Sequence, residues 1–330
     1  MSKQTVLMTA VGSYLPANVV TNDDLSACVE TSDEWVRRRT GISQRHFVAD
    51  GETTAALASN AATKALAQAG LAPTEIDLII VATTTPDNTF PSTATKVQHL
   101  IGASGAISFD VQAVCAGFIY ALDVADAMLR GGRGRRALVI GAESFSKLLD
   151  WQDRATCVLF GDGAGAVILE IVFADSDFGI LSSVLHADGA HRDILYVDGG
   201  PSSNQDVGFV RMEGKEVFRH AVGKLAAVME EALADHGLAP SAVDWLVPHQ
   251  ANQRIIEGLR AKLDLPAERV VSTVERHANT SAASVPLALT ASVEAGGVKS
   301  GDLVMFEAIG GGLAWGAGLV RIGRPPAATS

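Results

Sequence analysis

At 330 residues, 48% of them apolar, the chain is long enough to bury one large core or two ordinary ones, and no apolar run approaches the ~20 residues of a membrane-spanning helix. A net charge of −11 excludes a general nucleic-acid binder, which leans on a basic surface. Cys28, Cys115 and Cys157 have neither metal-ligand spacing nor the even count of a disulfide framework, and Met1-Ser2-Lys3-Gln4 leads into strand-like residues without a signal-peptide pattern, so the chain reads as a soluble cytoplasmic protein without a metal.

In chain order, a first strand is expected over Val6–Ser13, followed by a short polar helix whose start at Thr21-Asn22-Asp23-Asp24 offers capping side chains. Thr31–Gly41 opens like a capping box and carries Trp35 and three arginines. Alanines and leucines from Thr53 to Ala69 predict an amphipathic helix stopped at Gly70, and Asp77–Thr83 predicts a buried strand. Ala106–Val111 reads as a further strand, and Phe118, Leu122, Ala125 and Leu129 recur at helical spacing until Gly131-Gly132. Cys115 falls at the turn between them. Unpaired N–H groups and the positive end of the helix dipole gather there and favour a thiolate over the ordinary thiol, which titrates near ~8.5. The position suits a nucleophile, and equally a small buried hydrophobe.

A repeat appears at an offset of 167 residues. Ala65–Asp77 lies over Ala232–Asp244 without a gap, so a helix, a turn and a strand entry are written twice. The parallel continues with indels: Arg136–Glu143 resembles Asp302–Gly310, and Gly163–Leu169 resembles Trp315–Arg321, with a seam near Ile171–Phe178. So long a period, with strands and helices alternating inside it, indicates a duplicated α/β unit. In the second copy the strand after Asp244 opens on Pro248-His249-Gln250-Ala251-Asn252, and the next strand–turn–helix carries His277-Ala278-Asn279-Thr280-Ser281. If the halves pack about a pseudo-twofold axis, equivalent helix starts converge, and Cys115, His249 and Asn279 face one another. Taken singly, His249 also reads as a satisfied buried imidazole and Asn279 as a turn residue. Gly310-Gly311-Gly312 permits a close backbone approach, as an oxyanion site requires, or a flexible turn. Phe160–Gly165 precedes a strand and lacks the Lys-Ser/Thr of a phosphate loop, so it reads as structural.

Ala-Val-Cys-Ala-Gly-Phe around Cys115, Val-Pro-His-Gln-Ala-Asn around His249, His-Ala-Asn-Thr-Ser-Ala-Ala-Ser-Val-Pro around Asn279 and Gly-Gly-Gly-Leu-Ala-Trp-Gly from Gly310 resemble the 3-oxoacyl-(acyl-carrier-protein) synthase III family, the initiating condensing enzymes of type II fatty-acid synthesis. The resemblance runs from about Val6 to Gly323. It implies an α/β, thiolase-like fold: a duplicated βαβαβαββ unit layered αβαβα with pseudo-twofold symmetry, an N-terminal half over 1–173, a C-terminal half over 174–330, and a homodimer. It also implies a Cys115–His249–Asn279 triad and a decarboxylative Claisen condensation through a Cys115 acyl-enzyme, with a short acyl-CoA (acetyl-CoA foremost) and malonyl-acyl-carrier protein as partners. No cofactor is implied, because acyl-CoA is a substrate. The backbone N–H groups of Cys115 and Gly311 would form the oxyanion hole. Trp35, Arg39, Thr40 and Arg154 match CoA-binding positions; Phe90, Met212, Gly214 and Phe218 match the acyl pocket and channel; Arg219, Arg254 and Lys262 match carrier-protein docking positions. The competing readings are a same-fold condensing enzyme or acyltransferase of secondary metabolism with another starter, a non-catalytic partner subunit, and a cysteine hydrolase.

Overall fold

Leu78-Ile79-Ile80-Val81-Ala82 lacks polar alternation, as expected of a strand covered on both faces, and in the computed structural model every one of these residues is buried. The structure describes residues 4–174 and 176–324; the start read at Met1–Lys3, and Asp175 within the expected seam, lie outside them. The first sheet is five-stranded: β1 (Gln4–Tyr14), β2 (Leu78–Ala82), β3 (Ile107–Val111), β4 (Arg136–Glu143) and β5 (Gly163–Phe173), in the order β1-β5-β4-β2-β3. The second is four-stranded: β6 (Gly179–Ala187), β7 (Trp245–Pro248), β8 (Leu303–Gly310) and β9 (Ala314–Arg321), in the order β6-β9-β8-β7. β1-β5-β4-β2 corresponds to β6-β9-β8-β7, with antiparallel joins at β1/β5, β4/β5, β6/β9 and β8/β9 and parallel joins at β2/β4 and β7/β8, while β3 has no counterpart strand among the described residues.

The 167-residue offset survives in the hydrogen bonds. Leu78 pairs with Ala137 as Trp245 pairs with Val304. Asp77 Oδ2 accepts the Arg136 N–H at 2.9 Å, and Asp244 Oδ2 accepts the Leu303 N–H at 2.8 Å. The shared Asp in both copies is therefore a pin that fixes the register of the strand beside it, and the indels expected between the copies do not fall inside these strand pairs.

Helices α1 (Asp33–Thr40), α2 (Thr54–Ala69), α3 (Thr93–Ile101), α4 (Gly117–Arg130), α5 (Gly214–Ala234), α6 (Gln253–Lys262) and α7 (Ser284–Glu294) complete the layers. α2 and α3 cover the outer face of the first sheet through Leu57, Ala61, Ala65 and Val97. α4 and α7 lie between the sheets, where Phe118, Leu122 and Leu289 meet Ile80, Val139 and Phe306. Leu225, Met229 and Leu259 of α5 and α6 cover the outer face of the second sheet. This is the αβαβα layering expected.

One expected strand is missing. The strand foreseen before His277 is reduced to a single bridge, Leu246 to Val270. The physical reason is the buried amide of Gln250. Its Oε1 accepts the Thr273 and Val274 N–H groups at 2.7 and 3.0 Å, and its Nε2 donates to the Pro248 and Val271 carbonyls at 2.8 and 3.1 Å. A side chain thus takes the place of the ladder.

Candidate active site

Cys115 sits in one 3₁₀ turn, Val114–Ala116, ahead of α4, whose N-cap Ala116 provides no side-chain cap. Val114 has φ +50°, a left-handed conformation that a β-branched residue adopts only under strain. The turn packs against a second one, Ser281–Ala283, and against β8. At Gly310 a Cβ would lie 2.6 Å from the Cys115 nitrogen, so only glycine admits this approach. Cys115 is 4% exposed, and burial pushes its thiol up to about 12, although the Ser281 hydroxyl and the Cys115 N–H both favour the thiolate. The lowered thiol expected at a helix start is overturned, because desolvation outweighs the donors and the neighbouring Glu143 carboxylate opposes ionisation.

His249 follows β7 and is buried. Its Nδ1 lies 3.0 Å from the Ser284 hydroxyl, which accepts the Gln250 N–H at 2.6 Å. The Ser284 proton then has Nδ1 as its acceptor, which assigns the ring proton to Nε2 and leaves it as a donor. Burial holds His249 down to about 3, so the imidazole is neutral. Asn279 is anchored at three points: its N–H donates to the Leu159 carbonyl (2.9 Å), its carbonyl accepts from Gly161 (3.0 Å), and its Oδ1 accepts the Ser281 N–H (2.9 Å). With Oδ1 fixed, Nδ2 is the outward donor. The Phe160–Gly165 segment is structural as read, since it forms the clip that holds Asn279. Asn279–Ser284 touches every member of the set: Ser281 faces Cys115, and Ser284 holds His249.

Behind His249, the Glu307 carbonyl accepts the His249 N–H at 3.0 Å, while both carboxyl oxygens are buried without a partner among the described residues. Burial pushes this carboxyl up to about 8. The folded chain holds the proton more tightly than the unfolded one, so this stability is present at low pH and is lost as pH rises toward 8. Glu307→Gln is expected to abolish the loss. Between pH 5 and 8 the wild type should fall relative to the variant by roughly 1.4 kcal/mol per pH unit in paired denaturant titrations. Parallel curves would sink the assignment.

The remaining expected residues divide. Arg39 and Arg154 stack over Trp35, each with Cζ 5.3 Å from the ring centroid, and Arg154 is tethered to the Glu30 carbonyl at 3.0 Å. The three are together as expected, but no base-wide gap lies between Trp35 and Arg154. Thr40 is buried, and its hydroxyl donates to the Val36 carbonyl and accepts the Ile42 N–H. Met212 ends a two-stranded ribbon (Leu195–Val197 with Val210–Met212), Gly214 starts α5, and Arg254 stacks over Phe218 at 5.7 Å. Arg219 is paired with Glu216, and Lys262 is exposed at the end of α6. Phe90 is 83% exposed. Neither the Cys115 nor the Gly311 N–H donates to a backbone carbonyl outside the helices and strands among the described residues.

A cavity of about 920 Å³ lies beside this site, lined in part by Thr84, Thr85, Val114, Phe145, Leu195 and Val210. Cys115, His249 and Asn279 do not line it; Val114 connects it to the turn of Cys115. Sequence reading missed Ser281, Ser284, Gln250 and Glu143. The first three lie inside the motifs quoted for Asn279 and His249, where a buried-polar pattern was available to find them. Glu143 carried no local signal.

A family model for 3-oxoacyl-[acyl-carrier-protein (ACP)] synthase III matches residues 109–189, and the model for its C-terminal part matches residues 233–322. The beta-ketoacyl-[acyl-carrier-protein] synthase III of Erythrobacter litoralis is 62% identical over 311 residues, 94% of this chain and 97% of that protein. The crystal structure of 3-oxoacyl-[acyl-carrier-protein] synthase III from Aquifex aeolicus superposes with TM-score 0.90 at 45% identity, covering 97% of this chain and 100% of that one. The priming beta-ketosynthase from the R1128 polyketide biosynthetic pathway superposes with TM-score 0.91 at 34% identity, covering 98% of each. With both halves of the chain matched and identity sustained over nearly its whole length, it belongs to the 3-oxoacyl-[acyl-carrier-protein] synthase III family.

Proposed function

We propose that the protein initiates type II fatty-acid synthesis by joining a short acyl-CoA, acetyl-CoA foremost, to malonyl-acyl-carrier protein, with release of CoA, CO2 and 3-oxoacyl-acyl-carrier protein. The observation that carries this reading is the Asn279–Ser284 peptide, which ties a buried nucleophile to two neutral, oriented donors. In the first half-reaction the Cys115 sulfur attacks the thioester carbon, and the N–H groups of Cys115 and Gly311 receive the oxyanion. In the second, His249 Nε2–H and Asn279 Nδ2–H donate to the malonyl thioester oxygen. The enolate left by CO2 is stabilised there, and its carbon attacks the acyl-enzyme. Neutral donors suit this step, since neither can lose its proton to the enolate at working pH. The chemistry needs no metal or organic cofactor.

The nucleophile belongs to the half spanning 1–173 and the donors to that spanning 174–330. Trp35, Arg39 and Arg154 form the CoA surface, opened by displacement of Arg154. Arg254, with Arg219 and Lys262 beside it, meets the acidic carrier protein near Met212, Gly214 and Phe218. Phe90 reaches across a homodimer interface toward the partner's acyl cavity, which accounts for so exposed an aromatic. The enzyme works in the cytoplasm.

The second reading, a priming synthase for a specialised product with a longer or branched starter, is favoured by the likeness to the R1128 enzyme. Intact mass after mixing with acyl-CoAs from acetyl to dodecanoyl, then with malonyl-carrier protein, decides between them. An acetyl group on Cys115 that malonyl-carrier protein clears is expected. Preference for longer chains would favour the second reading, and no adduct from any donor would end both.

A further inference from the structure

Glu143 ends β4 with no exposed surface, yet no lysine or arginine among the described residues pairs with it. Four hydroxyls and one amide surround its carboxylate instead: Thr83 Oγ1 at 3.3 Å, Thr84 Oγ1 at 2.8 Å, Thr84 N at 3.1 Å, Thr85 Oγ1 at 2.7 Å and Ser281 Oγ at 3.0 Å. The threonines come from the loop after β2. Ser281 reaches across from the second half and is held at φ +49°, outside the conformations a serine prefers. The Ser281 hydroxyl that donates to Glu143 belongs to the turn packed against that of Cys115, and it favours the thiolate. One hydroxyl has one proton, so it serves one of these neighbours at a time. The other ionisable group near this turn, His249, is held by Ser284.

We propose that Glu143, acting through Ser281, is the proton reservoir for the Cys115 sulfur. The inference rests on the acyl-enzyme reading above. In acylation the Cys115 S–H bond breaks, its proton passes to Ser281 Oγ, and the Ser281 proton passes to Glu143 Oε1. The sulfur lone pair forms the new C–S bond, the thioester C–S bond breaks, and the departing CoA thiolate takes a proton from water. In condensation the bond from the acyl carbon to Cys115 breaks with its electron pair on sulfur. The sulfur recovers a proton from Ser281, which is resupplied by Glu143. Glu143 touches no substrate and is a positioning residue for this proton. Burial raises both the Cys115 thiol and the Glu143 carboxyl, so each disfavours carrying a charge in this pocket.

Because the transfer is internal, the thiolate fraction does not change with pH while the pair shares one proton. The rate at which iodoacetamide alkylates Cys115 is therefore expected to stay within about 2-fold from pH 6 to 8 in the wild type. In Glu143→Gln and in Ser281→Ala the plateau should vanish, with the rate rising about 10-fold per pH unit and lying at least ~10-fold below wild type at pH 7. A wild-type rate that climbs 10-fold per unit overturns the proposal. So does a plateau that survives in both variants, or Glu143→Gln reacting faster at pH 7, which is what relief of simple charge repulsion predicts. If Glu143→Gln fails to fold, the wild type and Ser281→Ala decide the question alone. Acyl-CoA adducts on wild-type Cys115 are read in parallel: adduct without a plateau sinks the reservoir only, and no adduct sinks the acyl-enzyme reading.

Discussion

Cys115→Ser is expected to lower acyl transfer from acyl-CoA by ~10⁴-fold or more, with no acyl adduct by intact mass and an essentially unchanged melting temperature. Serine nearly matches cysteine in size, so the buried turn at Val114–Ala116 should survive it. The loss is chemical. A hydroxyl needs a general base to attack a thioester, and the neutral His249 has its Nδ1 lone pair committed to Ser284. A serine is left without the ease of ionisation and the intrinsic reactivity of sulfur, in a pocket that disfavours any anion. An adduct on Cys115→Ser at a rate near wild type would move the nucleophile elsewhere, and Cys157, also buried, would be the next residue to test.

Asn279→Asp should separate the two half-reactions. The shape and the Oδ1 acceptor for Ser281 are retained, and only the Nδ2 donor is exchanged for an acceptor. Condensation with malonyl-carrier protein is expected to fall by ~10²–10³-fold, the scale of removing one donor from a developing oxyanion. Acylation of Cys115 should fall far less, because its oxyanion is held by backbone N–H groups. Single-turnover acylation and decarboxylation, followed separately, make the comparison. Equal loss in both steps would mean that Asn279 serves the turn and not the thioester.

The duplication was legible because a helix, a turn and the Asp pin recur without a gap, and the pin acts within each copy. Cys115, His249 and Asn279 were expected as a set from the repeat and the resemblance; taken singly, each also read as an ordinary buried or turn residue. What escaped was long-range. Glu143 meets Ser281 across 138 residues, and nothing around either predicts the meeting. The strand foreseen before His277 failed because apolar content cannot show that a glutamine amide will take over the hydrogen bonds of Thr273 and Val274. The Cys115 thiol went the wrong way because helix-start reasoning counts donors and omits desolvation, which only the packed structure reveals.

Val114 has a broader implication for how such an enzyme can change over generations. Its side chain lines the cavity beside the site while its backbone, at φ +50°, shapes the turn that presents the sulfur. Glycine would relax the turn and remove a wall; a larger residue would narrow the chamber and worsen the strain. Under the proposed function, a change at Val114 would alter the chamber and the attack geometry together, whereas Phe145 and Leu195 border the same chamber without a left-handed backbone.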